Sequence, residues 1–106
     1  MTANEAGREL DALIAVEVMG LDDLTPAQVK DGYVRIWPSY STTYEGAGLV
    51  IEKMRELGCK WELGSFEFWH ARVGKIDKRL SDDDFVFSAT FPHVVCLAAL
   101  AAVRSA

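Results

Sequence analysis

The sequence predicts a single α+β domain over residues 1–106. Its expected architecture is an antiparallel sheet of three to four strands packed with about three helices, in the order α-(β)-α-β-β-β-α. Three observations carry this reading. Apolar residues recur with helical spacing near both ends and again between residues 42 and 57. From Cys59 onward the apolar period changes to two. The composition, 50% hydrophobic and 25% charged, is that of a globular chain.

Residues 4–19 read as a first helix. Leu10, Leu13, Ile14 and Val18 form one apolar stripe, Glu5, Glu9 and Asp11 favour its N-terminal dipole, and Gly20 supplies a stop. Residues 21–31 form a polar connection in which Thr25-Pro26 could cap one helical turn. Residues 33–37 have strand composition, and Pro38 restricts them to an edge strand or an extended loop.

A second helix is expected from the Ser41-Thr42-Thr43 cluster, with Thr42 and Glu45 spaced as a capping box. Ala47, Val50, Ile51, Met54 and Leu57 make its stripe, and Gly58 ends it. Gly46 and Gly48 each forgo about 1 kcal/mol of helix propensity relative to alanine. That loss implies close approach of another backbone or of a bound group, tight helix–sheet packing being the simpler form.

Cys59, Trp61 and Leu63 alternate with Lys60 and Glu62 in a first sheet strand, and Gly64-Ser65 reads as a turn or bulge. Residues 66–73 carry aromatics on both faces, which predicts a strand that is central or packed on both sides. A charged loop over residues 74–84 leads to a third strand at residues 85–87. Thr90 then caps a last helix over residues 91–105, with Pro92 in its first turn. That helix is apolar almost all round, so burial on two sides is expected, one against the sheet and one against a helix or a second subunit. Val94, Leu97, Leu100, Val103 and Arg104 are the residues expected at such an oligomer interface.

Composition excludes several classes. The longest apolar run, residues 94–103, is ten long, half of what a membrane helix needs. The polar N-terminus is unlike a signal peptide, which implies the host cytoplasm. Two cysteines are too few for a disulfide framework, and both are expected to be buried thiols. The net charge of −5 opposes phosphate-dominated nucleic-acid binding, and only Arg72, Lys75, Lys78 and Arg79 could form a basic patch.

Three stretches carry a resemblance: GRELDALIAVEVMG at 7–20, PSYSTTYEGAGLVIEKM at 38–54 and ATFPHVVCLAALAA at 89–102. In this order they resemble the phage ABA sandwich domain family of small phage and prophage proteins. The departures are Thr43 where an acid is usual, Val94 where alanine is usual and Leu97 where arginine is usual. The resemblance implies the fold and a phage origin; it transfers no catalytic residue.

Several constellations remain to be weighed. His93 and Cys96 stand one helical turn apart, a usable zinc spacing, but Cys59 and His70 do not supply a second close pair. The hydroxyls of Ser39, Ser41, Thr42 and Thr43 could face His70 or His93, yet hydroxyls before a helix are usually caps. Asp82-Asp83-Asp84 lacks the glycine and distal glutamate of a calcium loop. The helix–strand–strand–strand–helix order is that of double-stranded RNA-binding domains, but the last helix opens without a lysine cluster. Trp37, Tyr40 and Tyr44, with Arg35, Gly46 and Gly48, form the remaining candidate for holding a ligand or partner. The competing assignment makes Trp61 and Trp69 sheet core, with Trp37 and Tyr40 closing the loop above it.

The sequence thus predicts a non-catalytic phage or prophage accessory protein that needs no cofactor and acts by binding. A host or phage protein, or a small signalling molecule, is the expected partner; countering host defence is one role in this class. A small metal-dependent hydrolase and an RNA-binding module are the alternatives.

Overall fold

A computed structural model describes residues 5–20, 38–77, 79–80 and 84–104. Three helical elements and a three-stranded antiparallel sheet make an α+β fold. The expected turn at Thr25-Pro26 and the expected strand at residues 33–37 lie outside the described residues.

The first helix is α1 (Arg8–Leu13), which continues as a π-helical segment over Ile14–Val18, the Met19 N–H donating to the Ile14 carbonyl at 2.9 Å. Its buried stripe is Leu10, Asp11, Ile14, Ala15 and Val18, rotated from the expected one so that Leu13 is only partly buried. The reason is polar. Asp11 faces inward because its Oδ1 accepts from the Ser41 backbone N–H at 2.8 Å and from the Ser41 hydroxyl at 2.7 Å. That hydroxyl in turn accepts from the Gly7 N–H at 2.9 Å. A buried carboxylate supplied with donors in this way avoids the penalty of an unpaired charge.

The second helix, α2 (Tyr44–Glu56), is capped one residue later than the capping-box spacing predicts. Thr43, not Thr42, is the N-cap: its Oγ1 accepts from the Gly46 N–H at 3.0 Å and donates to the Ser39 carbonyl at 2.8 Å. Ser41 is withdrawn from capping by its bonds to Asp11 and Gly7. The helix stops at Gly58, whose φ of 82° is open to glycine at little cost.

Strands β1 (Cys59–Phe66) and β2 (Phe68–Lys75) form a hairpin whose register pairs Trp61 with Val73 and Leu63 with Ala71. Gly64-Ser65 is therefore part of β1 and not a turn; the chain reverses at Glu67, with φ 66°. The short β3 (Val86–Ser88) pairs on the other side of β2. This makes β2 the central strand, as its two-faced aromatic pattern predicts.

The last helix, α3 (Phe91–Arg104), is the centre of the fold. It packs on β2, β3, α2 and the π-helical segment, while α2 lies on β1. Val94 and Leu100, expected at an oligomer interface, are thus buried within the chain itself, and Leu97 and Val103 pack against the same core. Arg104 closes the end of the helix in a fork onto Glu17, at 2.9 and 2.8 Å. The sequence pattern was satisfied internally because the N-terminal helix supplies the second wall. Both cysteines are free and buried.

Candidate binding face

Placing the helices on one side of the sheet fixes what the other side carries. Side chains alternate across a strand. Cys59, Trp61, Trp69, Ala71 and Val73 point to the helices, so Phe66, Phe68, His70 and Arg72 point away, joined by Phe87 of β3. Phe66, Phe68 and Phe87 are 83%, 57% and 64% exposed. Together they present the area of about two whole phenylalanine side chains, roughly 400 Å². That is the size at which the largest apolar patch on a monomer is often functional.

The face is ordered by its own contacts. The His70 ring meets Phe85 edge-on at 5.3 Å and lies 6.3 Å from Phe87. It rests above Gly64, where an added Cβ would come within 2.6 Å of Nε2. The Arg72 guanidinium sits 4.3 Å above the Phe85 ring while donating through Nε and Nη2 to Glu62 Oε2, at 2.9 and 2.6 Å. One side of the aromatic layer is therefore bordered by an internally neutralised ion pair. An apolar centre beside a polar border is the anatomy of a protein-contact surface.

The site expected near the start of α2 is taken apart by the structure. Tyr40 is 2% exposed and belongs to the core, so its ring is not a contact surface. Tyr44 is 71% exposed and stacks on Phe91 at 5.5 Å, and Phe91 meets Trp69 edge-on at 5.1 Å. Gly46 answers a close backbone approach, but from the loop before the helix and not from the sheet or a ligand: an added Cβ would lie 2.3 Å from the Ser39 carbonyl oxygen. Gly48 has open space around its Cβ direction. Arg35 and Trp37 lie outside the described residues.

The zinc reading loses its sulfur ligand. Cys96 is fully buried, and desolvation, with the Asp11 charge adding to it, pushes its thiol up to about 12. His93 instead meets the Ser88 hydroxyl, Oγ to Nδ1 2.7 Å. That hydroxyl also accepts from the Thr90 N–H at 3.4 Å, a local bond at the start of α3. Among the described residues no three His, Cys, Asp or Glu side chains gather as a metal site. The element order α2-β1-β2-β3-α3 matches that of double-stranded RNA-binding domains, but α3 opens with Phe91-Pro92-His93 and offers no lysine to phosphate.

Sequence reasoning missed Phe66, Phe68 and Phe87 as a surface. The signal was present in the two-faced alternation of β2, which was read as packing on both sides.

One solved structure reproduces this architecture. It is a phage protein from Bacillus cereus ATCC 14579, aligned over 98% of this chain and 89% of its own, with TM-score 0.68 and 25% sequence identity. This chain is similar to a phage protein. No family model matches it, and no curated protein does. Among the described residues no helix is long and apolar enough to cross a membrane.

Proposed function

We propose that this chain is a phage or prophage accessory protein that acts without catalysis, by holding a partner protein on the outer face of its sheet. The observation that carries the reading is the exposed aromatic layer of Phe66, Phe68 and Phe87. Covering roughly 400 Å² of apolar surface contributes about 10 kcal/mol gross, enough to offset much of the 4–15 kcal/mol that association costs. The resemblance of its three motifs to the phage ABA sandwich family supports the phage assignment, as does the similarity to the Bacillus cereus protein. Countering a host defence protein is one function that such a face serves.

The test is capture of a defined partner by the immobilised chain and by the double variant Phe68→Ser, Phe87→Ser. Both residues are exposed, so the variant should melt within a few degrees of the parent. Loss of the captured protein at unchanged melting temperature supports the reading. Equal capture by both chains, or unfolding of the variant, refutes it.

A further inference from the structure

We propose that the cleft between the C-terminal ends of α2 and α3 binds a small, mostly apolar molecule with one uncharged polar head, such as an amide. The cleft measures about 430 Å³. It lies on the helix-covered side of the sheet and is independent of the aromatic face. Met54 and Leu57 of α2, Cys59 and Val73 of the sheet, and Ala98 and Ala101 of α3 line it.

Its origin is a mismatch of side-chain size. α3 presents Ala98, Ala101 and Ala102 along this wall, and the sheet presents Gly74, so the space opposite Met54 and Leu57 stays unfilled. Close-packed interiors leave few voids larger than a water molecule. An apolar cavity of about 150 Å³ already takes up benzene or xenon. A volume near 430 Å³ falls within the usual range of ligand clefts, roughly 300–1,000 Å³.

Two polar groups at the wall define the head. Lys75 Nζ is held by the Leu57 carbonyl at 2.6 Å, which uses one of its three donors and fixes the ammonium beside the cleft. The Asp84 carboxylate is the other charged group in the lining. A cation and an anion on one apolar wall disfavour a fully charged head of either sign. They suit a group that accepts from Lys75 and donates to Asp84.

The probe is N-phenyl-1-naphthylamine, an uncharged apolar fluorophore with a single N–H. Titrated into the full chain it should bind saturably, one per chain, and slow the alkylation of Cys59 by N-ethylmaleimide. At tenfold excess over Kd it should raise the melting temperature by roughly 5 °C. Ala101 is exposed at the cleft, so Ala101→Phe should fold and lower affinity at least tenfold; Val103→Trp is an independent filling variant. The Phe68→Ser, Phe87→Ser chain should bind the probe as the parent does. Unsaturable binding, binding unchanged by both filling variants, or binding lost in the sheet-face variant would each overturn the site. Loss of partner capture without loss of probe binding, or the reverse, separates this site from the proposed partner face.

Discussion

Gly46→Ala sets two opposed effects against each other at one atom. Helix propensity favours alanine by about 1 kcal/mol in a helix interior. Against it, the new Cβ would sit 2.3 Å from the Ser39 oxygen, 2.6 Å from the Ser39 carbonyl carbon and 2.7 Å from Tyr40 Cα. All three are backbone atoms, and that loop cannot retreat freely. Thr43 bonds the Ser39 carbonyl, Tyr40 is buried and Ser41 is tied to Asp11. Overpacking typically costs 1–3 kcal/mol, and immovable backbone puts this site at roughly 3. The net expectation is destabilisation by about 2 kcal/mol, a melting-temperature fall on the order of 10 °C. Gly48→Ala is the internal control, since nothing lies within 4 Å of its Cβ position. There the propensity gain stands alone, and stability should rise by up to about 1 kcal/mol. Urea unfolding of the two variants and the parent measures both signs. If Gly46→Ala is as stable as Gly48→Ala, the close approach of loop and helix is wrong.

Two further perturbations follow from the polar contacts. Ser41→Ala removes a donor from Asp11 and the acceptor of the Gly7 N–H, and should lower stability by about 1–3 kcal/mol, with Ser41→Thr a partial rescue read in the same melts. Glu17 has its pKa lowered chiefly by the hydrogen bond from Arg104, so its contribution is present above the unfolded carboxylate pKa and disappears as pH falls through the folded value. The pair is largely exposed, so the contribution stays below about 1 kcal/mol; Arg104→Ala should flatten the acid limb of stability against pH, and an unchanged limb would show that the fork carries none of it.

Much of the fold was legible because its signals are local. The period-two alternation located the sheet, and β2 was read as a central or doubly packed strand from its aromatics alone. Where the reading failed, a long-range contact had overridden a local rule. Ser41 and Thr42 have cap chemistry, but the buried Asp11 takes Ser41, and Thr43 becomes the cap. Tyr40 follows a loop proline and looked exposed, yet the chain folds it beneath α2. The all-round apolar α3 was read as needing a second subunit, because no sequence rule says that α1 and its π-helical extension complete the enclosure.

The residues that carry the family resemblance are, in this structure, residues that make the fold. Gly7, Asp11 and Ser41 join the first two motifs through one buried network, and Cys96, Ala98 and Leu100 of the third lie in the core. Phe66, Phe68 and Phe87 all fall between the second and third motifs. Resemblance and binding are therefore written on different parts of the chain. Proteins can share the three motifs, and with them this architecture, while presenting different outer sheet faces to different partners. The outer face is tethered to the scaffold through β2, whose inward residues Ala71 and Val73 are core and whose outward residues are free to change. Alternation along one strand is what separates the two kinds of constraint.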